Sequence, residues 1–205
     1  MQPSAAPARQ FDQEAPRAHP FAYRKLTDVE LVTKATSGDR SALDVLVERY
    51  APRVNRLAAQ LLGDLEEARD AAQESLVKLC TRLKQFRGEA QFATWLHRLV
   101  VNTCRDRIAR QRLRQAEPLD LAAEQAGEES DPWRAALLAD ARRELAVALA
   151  RLSQNQRAAV VLRDAFGFTY EEISRIARMP VGTAKCYVHR ARGGLRARLE
   201  ENSEA

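Results

Sequence analysis

The chain has 205 residues, a formal net charge of +5 and 45% hydrophobic residues, which is enough for one large or two small domains. A basic balance favours an anionic partner, although with an excess this modest the placement of the charge matters more than its sum. No stretch approaches the apolar run of about 18 residues that a membrane span needs, and the N-terminus lacks the apolar core of a signal peptide, so we expect a cytoplasmic protein without membrane insertion.

The N-terminal part predicts a tail followed by short and long helices. Residues 1–24 contain four prolines among alanines and mixed charges, without periodicity, which predicts a disordered tail. Thr27 and Glu30 then form a capping box for a short helix. A helix at about 40–62 has apolar residues at three- and four-residue spacing, which is typical of a core helix. Asp64 fits the N-cap of a third helix.

The third helix, at about 64–84, has one apolar and one polar face. The apolar face follows the helical period and is expected to pack inward. The polar face comprises Glu66, Glu67, Asp70, Gln73, Glu74 and Lys78. Composition alone predicts only a solvated surface for such a face.

The fourth helix, predicted at about 92–111, changes character along its length. Its first half carries an inward stripe that includes Trp95, which either packs in the core or stacks on an unpaired base. Arg98, Arg105 and Arg112 recur every seven residues along another face, so their guanidinium groups align along one side. This geometry suits the tracking of a phosphate backbone, and a solvated basic face is the alternative.

An acidic segment at 115–132 interrupts the helical pattern and contains no basic residue. It predicts a flexible linker between two small helical domains, at about 25–114 and 133–201. Beyond it, Ser153 and Gln156 form another capping box between two periodic segments. No segment alternates as a strand does, so we expect an all-α fold.

Two helices joined by a tight turn are predicted at about 169–192. Thr169 and Glu172 form a capping box for the first of them. Pro180 has no amide hydrogen to donate and restrains the residue before it, so a second helix has to begin near Val181. The natural interpretation is a helix-turn-helix.

The second of these helices has one inward stripe and one outward face at 100° per residue. The inward stripe comprises Val181, Ala184, Val188, Ala191 and Leu195. The outward face and its shoulders comprise Thr183, Cys186, Tyr187, His189 and Arg190, and Lys185 and Arg192 add positive charge. Such a face suits a DNA major groove, where side chains reach base edges and neutralise phosphates. An ordinary helical hairpin with a solvated basic face is the alternative.

Signals of catalysis and of metal binding are absent from the sequence. Cys80, Cys104 and Cys186 form no CxxC pair, and the three histidines do not cluster near them. We interpret the cysteines as small, semi-buried or incidental side chains of a protein in a reducing compartment. A redox or metal-binding role is the alternative. A glycine-rich phosphate loop, an HExxH sequence and a nucleophile elbow are missing. We therefore expect no cofactor, no metal and no enzyme.

Two blocks of the sequence together resemble the extracytoplasmic function group of bacterial sigma factors, the small two-domain members of that family. The block DAAQESLVKLCTRLKQFRGEAQFATWLHRLVVNTCRDRIARQR is similar to sigma domain 2, and LSQNQRAAVVLRDAFGFTYEEISRIARMPVGTAKCYVHRAR is similar to sigma domain 4. Helix-turn-helix patterns are common, but both blocks in this order, with an acidic linker between them, are specific. The resemblance covers about residues 26–199.

For the first domain, the resemblance implies a four-helix unit with two functions. The helix at about 64–84 would dock on core RNA polymerase, through Asp70, Gln73 and Glu74. The segment at about 86–112 would bind the promoter's −10 element and hold a flipped base of the melted non-template strand, through Arg98, Asn102, Arg105 and Arg112. Extruding a base costs a few kcal/mol, which phosphate neutralisation and a protein pocket have to offset.

For the second domain, the resemblance implies that the helix-turn-helix reads the −35 element as duplex DNA. The residues implied are Thr183, Lys185, Cys186, Tyr187, Arg190 and Arg192. The family usually reads GTVKSR where this chain reads GTAKCY, so Cys186 replaces a serine and Tyr187 an arginine. The loss of that arginine removes a strong base or phosphate contact. The docking mode is retained, while the −35 sequence itself stays undetermined.

The function implied by the resemblance is a promoter-specificity subunit without catalysis of its own. Its partners would be core RNA polymerase, promoter DNA and a separate anti-sigma factor, and its acidic linker would thread toward the active centre and RNA exit path of the polymerase. One alternative is a stand-alone helix-turn-helix regulator that dimerises through its N-terminal helices, against which the FRGEAQFATWLHRL block argues. A second alternative is an interaction protein that binds RNA or an acidic partner through the arginine stripe.

Overall fold

The computed structural model describes residues 20–114 and 132–203, and within them the chain is helical without a strand. This confirms the all-α prediction. The helices are α1 (Pro20–Tyr23), α2 (Asp28–Thr36), α3 (Arg40–Leu62), α4 (Leu65–Arg82), α5 (Phe92–Arg114), α6 (Pro132–Ala150), α7 (Gln154–Val160), α8 (Tyr170–Ala177) and α9 (Val181–Ser203). A 3-10 turn at Leu83–Gln85 follows α4, and a π turn at Val161–Ala165 follows α7. Residues 1–19 of the predicted tail and 115–131 of the predicted linker lie outside the described residues.

Four helix starts lie where their capping residues predict them. Thr27, Ser153 and Thr169 each form a complete capping box, in which the hydroxyl accepts from the third helical N–H. The Asp64 carboxylate accepts from the N–H of Glu67 at 2.8 Å. Each cap satisfies a backbone donor that the helix leaves unpaired, and is worth about 1 kcal/mol. Local chemistry therefore sets the starts of α2, α4, α7 and α8.

Packing divides the chain into two compact units, with the boundary between Leu46 and Val47. In the first unit, the Tyr23 hydroxyl donates to a carboxylate oxygen of Asp39 at 2.6 Å. This hydrogen bond lowers the pKa of Asp39. The helical turn of α1 falls inside the segment predicted as a disordered tail, so ordered structure begins before the position at which the prediction places it.

The second unit contains the helices that carry the predicted functional residues. An aromatic cluster packs the start of α5 against α3 and against the loop before α5. Phe92 lies edge-on to Tyr50 of α3, with 5.1 Å between the ring centroids. The ring centroid of Phe86 lies 5.7 Å from that of Phe92 and 5.5 Å from that of Trp95. Trp95 is only 9% exposed, which favours core packing over base stacking. Helix α4 packs along α5, α7 and α8 pack on α9, and α8 also packs against α5.

Candidate nucleic-acid and polymerase interfaces

Helix α9 has a polar face opposite a buried stripe, as its spacing predicts. Ala184, Val188 and Ala191 are all at or below 1% exposure. Lys185, Cys186, Arg190 and Arg192 are exposed, and Thr183 and Tyr187 are half-buried beside them. Because α9 packs on α7 and α8 through its buried stripe, the six predicted contact residues lie on the opposite side of the helix, where they are exposed or half-buried.

The turn between α8 and α9 fixes the angle at which α9 is presented. Arg178 has a φ of 51°, in the left-handed region, and its N–H donates to the Ser174 carbonyl as the C-terminal cap of α8. The Ser174 hydroxyl donates to the Met179 carbonyl at 2.6 Å. The Pro180 carbonyl then accepts from Ala184 at 3.0 Å in the first turn of α9. Sequence reasoning placed the break at the proline but missed the left-handed residue, because glycine or asparagine usually occupies such a cap.

Arg192 is paired with a carboxylate. Its Nε donates to Asp164 Oδ2 at 3.0 Å, and its Nη2 donates to Asp164 Oδ1. Asp164 lies in the π turn, and its hydrogen bond with Arg192 raises the pKa of the guanidinium. Arg192 is still 55% exposed, but its charge is partly neutralised. Lys185 lies 5.7 Å from the ring centroid of Tyr170, so it carries positive charge close to the aromatic ring at the start of α8.

The predicted arginine stripe of α5 does not form one uniform surface. Arg98 and Asn102 are half-buried, and Arg98 lines a cavity. Arg105 is held by residues of α7 and α8. The side chain of Arg112 lies outside the described residues. The seven-residue spacing therefore predicts the direction of these side chains along α5 but not what they contact.

The guanidinium of Arg105 caps the C-terminus of α8. Its Nη1 donates to the Ala177 carbonyl at 2.8 Å, and its Nη2 donates to Asn155 Oδ1 at 2.9 Å. A carbonyl in the last turn of a helix has no partner within the helix and lies at the negative end of the helix dipole, so a cation is favourable there. Burial, and then the nearby charge of Arg178, lower the pKa of Arg105.

A cavity of about 400 Å³ lies beside the loop that precedes α5. Phe86 and Trp95 form its aromatic lining, and the guanidinium-bearing residues Arg87, Arg98 and Arg175 line it as well. Arg175 belongs to α8, whereas the other four come from α5 and the loop before it. Glu89 adds one carboxylate to this lining. The cavity thus combines aromatic surface with an excess of positive charge, a combination suited to a nucleobase and its phosphates.

His97 is a buried polar residue that sequence reasoning missed. It is 2% exposed, and its ring packs edge-on against Phe166 and Phe168 at 5.3 and 4.9 Å between centroids. Its Nδ1 donates to the Ala93 carbonyl at 2.5 Å, and its Nε2 has no hydrogen-bond partner among the described residues. Burial lowers the pKa of His97. The position on α5 next to Leu96 gave no local signal of these distant aromatic partners.

The acidic face of α4 is partly engaged within the protein. Arg107 of α5 bonds Glu67 at 2.7 Å and lies 3.4 Å from Asp70 and 3.5 Å from Glu74. Lys78 also pairs with Glu74 at 2.7 Å, and this hydrogen bond is the main cause of the lowered pKa of Glu74. Asp70 nevertheless remains 64% exposed, and Gln73 is exposed.

Within residues 20–114 and 132–203, no group of histidine, cysteine, aspartate and glutamate side chains is arranged to hold a metal ion. Among the same residues, no helix is both long and apolar enough to cross a membrane.

Comparison with family models gives two matches in chain order. The Sigma-70 region 2 model matches residues 46–114, which include α4 and α5. The Sigma-70, region 4 model matches residues 142–193, which include the helix-turn-helix. The two matches therefore cover the two sets of predicted functional residues separately.

Relatives and solved structures agree with these matches. The chain is 32% identical over 182 residues to the RNA polymerase sigma-H factor of Pseudomonas aeruginosa, covering 84% of this chain and 94% of the relative. It is 33% identical over 181 residues to the ECF RNA polymerase sigma-E factor of Salmonella typhimurium, covering 83% and 93%. Two solved structures share the fold, each at a TM-score of 0.62 and 24% identity. One is CnrH in complex with the cytosolic domain of CnrY, and the match covers 85% of this chain and 97% of the solved chain. The other is the sigma factor RpoE in complex with the anti-sigma factor NepR from Bartonella quintana, and the match covers 75% of this chain and 94% of the solved chain.

Proposed function

Because the chain belongs to the extracytoplasmic function group of the sigma-70 family, we propose that it directs core RNA polymerase to promoters by reading a −35 and a −10 element. Sigma factors are initiation factors rather than enzymes. The observation that carries the proposal is the geometry of α9, whose buried side anchors it on α7 and α8 while its opposite side exposes lysine, arginine and polar residues.

The −35 element is proposed to bind along α9 as duplex DNA. Thr183, Cys186 and Tyr187 lie near the helix N-terminus, where recognition helices contact base edges. Lys185 and Arg190 would neutralise phosphates. Arg192 would contribute less, because Asp164 already holds its guanidinium.

The −10 element is proposed to bind α5 and the loop before it as a melted strand. A flipped base needs a pocket that stacks it and charges that neutralise its phosphates. The cavity lined by the half-buried ring of Phe86 and by Arg98 supports this proposal. Asn102 and Arg105 extend the surface along α5, and Arg112 would continue it.

Core RNA polymerase is proposed to bind the exposed side of α4, through Asp70, Gln73 and Glu74. Arg107 of α5 forms ion pairs with Glu67, Asp70 and Glu74. Gln73 and Asp70, which remain exposed, would therefore make the most direct contacts with the polymerase. An anti-sigma factor is proposed as a further partner, because both solved neighbours carry a second protein named with them and one of these is named as an anti-sigma factor. With these partners, the protein would act in the cytoplasm.

Reconstituted transcription tests the proposal. The purified chain is mixed with core RNA polymerase and genomic DNA, complex formation is measured, and transcript 5′ ends are mapped. We expect a stable complex and initiation at defined sites that share two upstream elements. Tight duplex binding without any core binding would contradict the proposal and favour a stand-alone helix-turn-helix regulator.

A further inference from the structure

Two cations of α9, Lys185 and Arg192, lie along one flank of the helix. Seven residues turn an α-helix by about 700°, so the two side chains leave α9 in directions about 20° apart. Both are exposed. The proposed base contacts, Thr183, Cys186 and Tyr187, leave the helix on a different side. The flanking cations can therefore be held back without any change to the base-reading surface.

The first of these cations to be held is Arg192. Its guanidinium donates two hydrogen bonds to the carboxylate of Asp164, one of them from Nε at 3.0 Å. The pair lies at the surface, since Arg192 is 55% and Asp164 40% exposed. The carboxylate fixes the plane of the guanidinium and cancels part of its charge toward an approaching phosphate.

The other cation, Lys185, is held through an aromatic ring. Its ammonium lies 5.7 Å from the ring centroid of Tyr170, and the guanidinium of Arg163 lies 4.8 Å from the same centroid. Both distances are typical of a cation–π contact. Arg163 is fixed in turn, because its Nη1 donates to the Phe168 carbonyl at 2.9 Å. Tyr170 thus draws Lys185 toward the start of α8.

These contacts come from one short segment of the chain. Arg163 and Asp164 are consecutive residues of the π turn, and Tyr170 is the first residue of α8. The hydrogen bond with Asp164 is the main cause of the raised pKa of Arg192, and the nearby Tyr170 adds to it. We call Arg163, Asp164 and Tyr170 the restraint cluster. Arg190 has no such partner among the residues that the structure describes.

We propose that the restraint cluster sets the specificity of duplex binding. It withholds Lys185 and Arg192 from the phosphates of arbitrary DNA, so that α9 binds firmly only where base contacts are made as well. Asp164 and Tyr170 are then specificity-determining residues that act through the cations they hold. The inference rests on the proposed function, because it takes α9 to read the −35 element.

The restraint acts unequally on the two kinds of complex. Non-specific affinity comes almost entirely from phosphate neutralisation, and α9 can settle there in any register that brings its cations to phosphates. A specific complex has its register fixed by base contacts, and its cations meet only the phosphates which that register brings to them. Withholding a cation therefore weakens the non-specific complex more. Specificity, which is the difference between the two affinities, increases.

Three substitutions and a matched control test the restraint cluster. Asp164→Asn keeps the size of the side chain but removes the charge that holds Arg192. Tyr170→Leu removes the ring that holds Lys185, whereas Tyr170→Phe keeps a ring at the same place. Glu171→Gln removes the same charge as Asp164→Asn from an exposed position of α8, so it is the control for net charge.

The measurement is the affinity of the purified full chain for two fluorescent duplexes at several salt concentrations. One duplex carries the −35 element of a mapped promoter, and the other has the same bases in shuffled order. Asp164→Asn is expected to bind the shuffled duplex about fivefold more tightly, with a salt slope steeper by about 0.9. It should bind the −35 duplex only about twofold more tightly, because the register is fixed there.

The ratio of the two affinities therefore falls about two- to threefold in Asp164→Asn. Tyr170→Leu is expected to lower the same ratio about twofold. Tyr170→Phe and Glu171→Gln should keep the ratio of the unmodified chain. If Tyr170→Leu does not fold, Asp164→Asn and its control still decide the question.

A purely structural role for Asp164 predicts the opposite direction, because a disordered helix-turn-helix loses affinity for both duplexes. Weaker binding of Asp164→Asn to the shuffled duplex would therefore overturn the inference. An equal effect of Glu171→Gln would overturn it as well, since net charge alone would then explain the change.

The two inferences fail in different ways. An unmodified chain that binds both duplexes equally, or neither, would overturn the −35 assignment of α9 and the specificity role with it. An unmodified chain that prefers the −35 duplex, with the same ratio in every variant, would leave the proposed function intact and overturn only the role of the restraint cluster.

Discussion

The side chain of Arg105 and the carbonyl of Ala177, 72 residues apart, meet at 2.8 Å, so an arginine of α5 completes the C-terminus of the first helix of the helix-turn-helix. The same side chain thus contributes to structure and lies on the surface proposed for the −10 strand. Its neighbour in the stripe, Arg98, faces a cavity instead. The two arginines are therefore expected to behave differently when they are removed.

Arg105→Ala should lower the free energy of unfolding by about 1–2 kcal/mol, because it leaves the Ala177 carbonyl and the Asn155 side chain without this partner. Arg98→Ala should change it by less than about 0.5 kcal/mol. Both substitutions together should weaken open-complex formation more than core binding. Urea denaturation and chemical footprinting of the melted strand measure the two effects. Equal losses of core binding and strand opening would contradict the assignment.

His97 should make the protein less stable in mild acid. Its pKa is lowered by burial and by the charges of Arg53 and Arg56, so the unfolded chain takes up the proton first. The stabilisation is fully present above about pH 6.5 and is lost as the pH falls toward the folded-state pKa, with a slope of at most about 1.4 kcal/mol per pH unit. Thermal denaturation between neutral pH and mild acid measures this slope.

Two histidine variants isolate that effect. His97→Gln should flatten the dependence of stability on pH, since no proton remains to be taken up there. His189→Gln, on the exposed side of α9, should leave it unchanged. Hydrogen bonds from Tyr23 and Lys78 lower the pKa values of Asp39 and Glu74. Protonation of these two carboxylates therefore destabilises the fold only at more acid pH. An unchanged slope in His97→Gln would mean that another group titrates in this range.

Arg190→Ala should weaken binding to duplex DNA that carries the −35 element and reduce its salt dependence. Loss of one phosphate contact lowers the slope of log affinity against log salt by about 0.9. Asp164→Asn should do the reverse, because it releases Arg192 from its carboxylate partner. Fluorescence anisotropy titrations at several salt concentrations test both. If the slope is the same with and without Arg190, this side chain does not contact phosphate.

On α4, Gln73→Ala should reduce affinity for core RNA polymerase without changing the unfolding free energy, because Gln73 is exposed. Arg107→Ala should instead destabilise the fold by about 1 kcal/mol, since Glu67, Asp70 and Glu74 lose a shared cation. Titration of labelled core polymerase and thermal denaturation separate these outcomes. A loss of stability in Gln73→Ala would count against a pure contact role.

Features that depend on neighbours in sequence could be predicted. The capping residues Thr27, Asp64, Ser153 and Thr169 place the starts of their helices through bonds that span three residues. The buried stripe of α9 follows from the helical period alone. The family and its two domains could be recognised because their motifs are built from such local patterns.

Features that depend on distant partners could not be predicted. The spacing of Arg98 and Arg105 predicted the direction of both side chains. It did not predict that Arg105 donates hydrogen bonds to Ala177 and Asn155. The burial of His97 depends on two phenylalanines about seventy residues later. Interactions of this kind are set by tertiary packing, which the period of a helix does not encode.

The π turn at Val161–Ala165 has an evolutionary consequence. A π turn accommodates one residue more than the α-helical turn it replaces, and each α-helical residue rotates the chain by about 100°. Deleting one residue there would swing Phe166 and Phe168 around the helix axis and away from His97. A lineage could thus gain or lose the packing of Phe166 and Phe168 on His97 through a single-codon insertion or deletion, with all three side chains left unchanged.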